Sequence, residues 1–214
     1  ILFFHQKCLS NSICLKFLKE NAQGKFLLFL NPDAILTSSN AIDSMLEFAN
    51  RNPNIGITSC RKISPKGKPE REMAFANPWL IISWIRAIYK LTNKKKVEKK
   101  FPKMDKVWYP DWVTGSVVLI HSNLFNKIGK WNQESFWMYY EDVDWCTRAT
   151  KNGIALLINN NAVVKHYSTK KISLYLKFIA IKNRYIYCYK HYPMYLFIQV
   201  FLTPLFILRK IVLR

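Results

Sequence analysis

Three carboxylates fall within four residues at Glu141, Asp142 and Asp144, inside the segment Tyr139-Tyr140-Glu141-Asp142-Val143-Asp144-Trp145-Cys146-Thr147-Arg148. The chain holds 13 acidic residues against 33 Lys and Arg, so such a cluster beside aromatics calls for a reason. An ionised carboxylate can take a proton from an attacking hydroxyl. A second stretch, Phe29-Leu30-Asn31-Pro32-Asp33, ends an apolar run abruptly in Asn-Pro-Asp. An Asp in that position can ligate Mg2+ or Mn2+ and share the ion with phosphate oxygens. Together the two stretches suggest a site that holds a metal-bound diphosphate and deprotonates an incoming hydroxyl.

Each feature has a plainer reading beside it. Asp33 suits the cap of a following turn. Glu141, Asp142 and Asp144 form an acidic helix start, a common device that favours the ionised form, and Asp144 in the first turn reads as a dipole or capping partner. His166 follows a strand and suits a metal ligand, although a lone His is more often structural. His5, His121 and His191 show no comparable context. Gly115, after Asp111-Trp112-Val113-Thr114, lies in or beside a strand, where Gly lets a backbone or ligand come close. Trp112 and Trp131 offer flat faces for a sugar ring or mass for the core.

The elements that position these residues follow from periodicity and breakers. Residues 11–23 read as a helix stopped by Gly24. Residues 25–30 are a buried strand that Pro32 must end. A helix capped by Ser39 or Asn40 turns Ile42, Met45, Leu46, Phe48 and Ala49 inward, and Asn52-Pro53-Asn54 breaks it. A strand over 55–60 leads to a polar loop over 61–72. Residues 79–91 form a strongly apolar helix, and 93–106, with seven lysines, a basic loop. Strands are expected at 107–109 and 113–120, a short helix from Ser122 or Asn123 to Gly129, and a helix over 142–152 closed by Gly153. Short strands at 155–158 and 162–165 lead to His166. The order describes an α/β sandwich with parallel strands and at least one antiparallel partner.

At 214 residues and 50% hydrophobic content, the chain is one medium domain with a real core and room for an appendage. A net charge of +20 favours anionic partners, or reflects a solvated lysine surface. Five scattered cysteines, without a CxxC or zinc spacing, read as reduced thiols. The opening lacks the features of a signal peptide. Residues 170–191 interleave basic and aromatic residues. The apolar stretch at 195–208 contains Pro204 and is short for a bilayer span.

In order and spacing, these pieces resemble the family-2 glycosyltransferases of GT-A fold, and in particular their rhamnosyltransferase-like branch. They are Gly24 to Asp33 with its Asn-Pro-Asp, Asp111-Trp112-Val113-Thr114-Gly115-Ser116, Met138 to Arg148, and His166. The resemblance covers roughly 11–170 and implies a Rossmann-like mixed sheet flanked by helices. It implies a nucleotide-sugar donor and Mg2+ or Mn2+. Asn31 and Asp33 would stand at the metal and diphosphate motif, with Asp33 carrying most of the metal contact and His166 completing it. Asp142 would be the catalytic base, with Glu141 assisting. Asp111, Trp112 and Gly115 would line the donor and acceptor pocket. The family's opening strands and the acid that reads the nucleotide base have no counterpart before Asn11, so the chain reads as N-terminally truncated. The division expected is a partial GT-A domain over 1–170 and a basic-aromatic extension with an apolar helical tail over 171–214.

The resemblance thus implies an inverting transferase acting on a saccharide or lipid-linked acceptor in bacterial polysaccharide or glycoconjugate synthesis. The basic loop and the tail suit an anionic membrane surface at the cytoplasmic face. Two rivals stand beside it: an inactive remnant of the same fold, and a basic nucleic-acid-binding protein. The second lacks any nucleic-acid motif, and the acid cluster would repel phosphate without a metal, so no nucleic-acid partner is expected.

Overall fold

The computed structural model describes residues 3–5, 23–52, 55–68, 107, 109–132, 134–167 and 173–197. The helix expected at 11–23 (all but its last residue), the apolar helix at 79–91, the basic loop at 93–106 and the tail from 198 onwards lie outside these residues.

Ten elements are described. They are β1 (Phe3–His5), β2 (Phe26–Leu30), β3 (Ala34–Leu36), α1 (Ala41–Arg51), β4 (Ile55–Ile63), β5 (Val117–His121), α2 (Leu124–Ile128), α3 (Glu141–Lys151), β6 (Ala155–His166) and α4 (Leu174–His191). The six strands form one sheet in the order β1-β2-β5-β4-β6-β3. Strand β1 runs parallel to β2, and β4 parallel to β6, while β5 is antiparallel to both its neighbours and β3 to β6.

Why the strands read as unbroken apolar runs is visible in their two faces. Alternate residues of a strand point to opposite sides of a sheet. Leu27, Phe29, Val118, Ile120, Leu156 and Ile158 pack with Leu124, Ile128, Trp131, Trp145, Cys146 and Ala149 around α2 and α3. Phe26, Leu28, Val117, Leu119 and Val164 pack with Ala41, Met45 and Ala49 of α1 on the other side. A sheet covered on both faces has no polar side to alternate with. A third cluster joins Phe136 and Val143 to Tyr187, Cys188 and Tyr195, so the end of α4 and the turn after it pack where α3 begins. The described cysteines, Cys60, Cys146 and Cys188, are free and buried.

Several expectations need correction. A strand precedes Asn11, since the backbone of Phe3–His5 pairs with Leu28, Phe29 and Leu30. Val107 and Tyr109 lie outside any strand, and β5 starts at Val117 rather than at 113, leaving Gly115 and Ser116 in a turn. Residues 61–63, read as loop, continue β4. The two strands expected at 155–158 and 162–165 are one, interrupted by a bulge: Cys60 pairs with Asn159, but Arg61 pairs with Val163. Helix α1 begins at Ala41 without a side-chain cap from Asn40.

Candidate functional site

The expected site residues gather at one end of the sheet, where β2, β4 and β6 finish and β5 begins. Ligands of open α/β sheets bind beyond the carboxyl ends of the strands. Hydrogen bonds tie the segments together there. The Asn31 amide donates to the Ser116 carbonyl at 2.8 Å, and the Tyr167 amide to the Asp33 carbonyl at 2.8 Å. The Gly115 amide donates to Asp142 Oδ2 at 3.2 Å, and Lys62 Nζ reaches the Thr114 carbonyl at 3.5 Å. Asn31-Pro32-Asp33, the 114–116 turn, the start of α3 and the end of β6 are thus contiguous.

Asp33 and His166 meet because β3 pairs with the last residues of β6, Ala34 standing opposite His166. Asp33 Oδ2 lies 3.6 Å from His166 Nε2, longer than a hydrogen bond. Asp33 Oδ1 is buried without a hydrogen-bond partner. A buried polar atom left this way needs an explanation. A carboxylate and an imidazole nitrogen at this separation suit Mg2+ or Mn2+, with phosphate oxygens to complete the shell. Among the described residues, no group of three or more His, Cys, Asp or Glu forms a metal cluster, so the fit rests on this pair plus a ligand's own oxygens.

The acid pair opens α3. Both oxygens of Asp142 accept backbone hydrogen bonds, Oδ2 from Gly115 and Oδ1 from Val143 at 2.8 Å. A carboxylate oxygen has two lone pairs, so each can still take a hydroxyl proton. Glu141 Oε2 is buried without a partner. Burial, then the neighbouring Asp142, pushes the Glu141 carboxyl up to about 8. Burial also raises Asp142, against the Gly115 and Val143 amides and the charge of Lys62. The helix start was expected to favour the ionised forms. Its dipole contributes about 1 kcal/mol or less at such a position, and desolvation of a buried carboxyl exceeds that.

Other candidates sort differently. Trp112 packs against the first and third clusters, and Trp131 is core, its ring centroid 5.2 Å from that of Phe29 and 5.9 Å from that of Trp145. Burial raises the phenol of Tyr192, just after α4, and the charge of nearby Asp111 adds to that. Gly115 takes no left-handed conformation, and a Cβ there would meet the Trp131 ring at 3.5 Å, an ordinary contact. The Gly115 backbone N–H, rather than its missing side chain, is what touches the acid pair.

Asp144 is not a cap. It is buried and paired with Arg148 Nε at 3.0 Å and with His191 Nε2 at 2.7 Å. Burial raises its carboxyl, but the His191 hydrogen bond and the Arg148 charge outweigh that and hold it below the usual range. The sequence reading missed two residues here. Lys62 was counted in a loop yet is 3% exposed at the end of β4, and His191 was set aside. No local signal marks His191, whose partner is 47 residues away in sequence.

A cavity of about 350 Å3, lined by Lys25, Gly56, His121, Lys127 and Asn152 among others, opens at the opposite end of the sheet, away from the acid pair. No helix among the described residues is long and apolar enough to cross a membrane.

Comparisons with known proteins bear on the fold and the family. No family model matches the chain. It is 25% identical over 150 residues to the rhamnosyltransferase WbbL of Escherichia coli (strain K12), covering 69% of this chain and 55% of that protein. It is 26% identical over 183 residues to the low-salt glycan biosynthesis hexosyltransferase Agl10 of Haloferax volcanii, covering 82% of this chain and 54% of that one. The chain therefore spans about half the length of the curated relatives it matches. In structure it is similar to GalNAc-T7, crystallised with UDP, GalNAc and Mn2+, with TM-score 0.58 and 11% identity over 87% of this chain and 36% of that one. That likeness speaks for the fold. The chain shares the GT-A fold of that neighbour, both sequence relatives are glycosyltransferases, and the family-2 resemblance of its motifs fits them.

Proposed function

We propose that this chain is the catalytic part of an inverting glycosyltransferase, which moves a sugar from a nucleotide-sugar donor to a saccharide or lipid-linked acceptor. One observation carries the reading most: Asp142 is clasped by the Gly115 and Val143 amides at the same sheet end as the Asp33–His166 pair. Asp142 takes the acceptor hydroxyl proton. The acceptor oxygen bonds to the anomeric carbon as the bond from that carbon to the diphosphate breaks, and the nucleoside diphosphate leaves with the electron pair. Glu141, buried beside the base, orients it, and fixing both reactants in line lowers the barrier further. Asp33 and His166 would hold Mg2+ or Mn2+, which when bound offsets the negative charge of the departing diphosphate. Asn31 shapes the same turn, and Asp111, Trp112 and Gly115 would line the donor and acceptor pocket.

The proposal extends to setting and location: bacterial polysaccharide or glycoconjugate assembly, at the inner face of the plasma membrane. Two features support a membrane surface. From Trp145 onwards the chain carries no Asp or Glu but twelve Lys and Arg. On α4, Tyr175, Phe178 and Tyr189 are 65–68% exposed, and Lys182 falls in the same stripe. Aromatic and basic side chains on one helix face suit an anionic lipid interface. Co-sedimentation with phosphatidylglycerol vesicles, and not with phosphatidylcholine, is the expected result.

The deciding experiment is calorimetric titration of nucleotide sugars into the chain with and without Mn2+. Metal-dependent binding that Asp33→Ala weakens about tenfold or more supports the reading. An absence of any donor binding favours the second reading, a non-catalytic glycosyltransferase-like remnant.

A further inference from the structure

Tyr139 and Tyr140 are consecutive non-glycine residues in left-handed backbone conformations, with φ of 69° and 73°. A residue with a Cβ avoids that region, and two in succession persist only where their surroundings hold them. They stand immediately before Glu141 and Asp142, so their conformation sets the direction in which the acid pair leaves the loop.

The holder comes from α4, more than 40 residues later in the chain. Asn183 is 4% exposed in the interior of that helix. Its Nδ2 donates to the Met138 carbonyl at 2.7 Å and to the Tyr139 carbonyl at 2.9 Å. Both amide hydrogens are thereby used, and a primary amide is the side-chain group with two such donors on one nitrogen at this reach. One turn further along α4, the Tyr187 ring lies 5.4 Å from that of Tyr140. The Tyr140 carbonyl in turn accepts the Asp144 amide at 2.8 Å and starts α3. Helix α4 thus grips the double turn at two successive inward positions. A relaxation of Tyr139 or Tyr140 to negative φ would swing Asp142 off the Gly115 amide.

We propose that Asn183 is a positioning residue for the acid pair. By holding two consecutive carbonyls it keeps the left-handed turn, and so the carboxylates of Glu141 and Asp142, aligned with the Gly115 turn. This rests on the transfer reading above, and it makes α4 part of the catalytic apparatus.

The test is Asn183→Asp, which keeps the shape and replaces the double donor with an acceptor. With a nucleotide-sugar donor, kcat should fall about tenfold or more, while the donor KM moves less than about threefold. Amide hydrogen exchange across 139–146 should speed up well below the melting temperature. Adding Tyr139→Gly, which accepts positive φ without a steric cost, should restore part of the lost kcat. A folded Asn183→Asp with wild-type kcat, or with unchanged exchange across 139–146, overturns the proposal. If Asn183→Asp does not fold, Asn183→Ser is read the same way, and wild-type kcat in that folded variant overturns it equally. A wild-type chain that transfers no sugar overturns the functional reading alone. Exchange at 139–146 then decides on Asn183 by itself.

Discussion

Helix α3 carries acids of opposite character on one turn. Asp144 faces Arg148 and His191, is paired with both, and titrates low. Asp142 accepts the Gly115 and Val143 amides, Glu141 Oε2 is buried without a partner, and burial holds both above the usual carboxylate range. The same residue types within four positions therefore do different work. A buried carboxylate with cationic partners is a fastener, here joining α3 to α4 and, through Arg148, to the Ile128 and Lys130 carbonyls. A buried carboxyl left short of cations is a stronger base and a weaker structural element.

The sharpest way to break this comparison is Asp142→Asn. Transfer should fall about 1,000-fold, with only a small change in melting temperature, because relief of a buried acid offsets the loss of an acceptor for one of its two backbone amides. Full activity in that variant would move the base elsewhere, with Glu141 first in line. Next in size is Asp144→Asn, which should cost about 3 kcal/mol in urea denaturation by leaving Arg148 without its counter-charge and disturbing the hydrogen bond to His191. Per folded molecule its transfer rate should stay near wild type. An inactive but stable Asp144→Asn would erase the distinction between the two sides of α3.

The pH dependence of stability separates the two sides by sign. Glu141 has a folded value raised to about 8, so the stability linked to it is fully present below the unfolded carboxyl range and is lost as pH rises through about 8. Asp144 is held low, so its contribution is present above the unfolded value and lost as pH falls through the lowered one. Denaturant midpoints from about pH 5 to about pH 9 should decline for the wild type and decline less for Glu141→Gln, a difference on the order of 2 kcal/mol. Asp144→Asn should instead flatten the acid limb. The smallest effect concerns the α3–α4 seam. Thr147 Oγ1 and Tyr187 Oη lie 2.9 Å apart in the core, and Tyr187→Phe, which strands the Thr147 hydroxyl, should cost about 1 kcal/mol by thermal melting.

Particular residues show how much of this could be read before the fold was seen. The strand at 26–30 was legible because an apolar run met Pro32, and the end of α3 because Gly153 supplies the left-handed residue that a helix terminus needs, at φ 75°. Strand β6 was split in two because Asn159-Asn160-Asn161 looks like a turn. In the fold, Asn159 Nδ2 bonds to the carbonyl and hydroxyl of Ser44 on α1, and its Oδ1 accepts the Asn161 amide. Partners supplied by a distant helix turned a turn signal into a bulge. Strand β1 was missed because three residues carry too little pattern, and its pairing comes from β2.

For the site, residue type and order along the chain determined which side chains were worth watching: Asn31, Asp33, Glu141, Asp142 and His166 stood out through breakers, clustering and strand ends, all of them local signals. What tertiary structure alone decided was their state. Whether an acid is a fastener or a base depends on which cations and amides arrive from Gly115, Lys62, Arg148, Asn183 and His191. Electrostatics and desolvation act through space, and most of those partners lie tens of residues away along the chain.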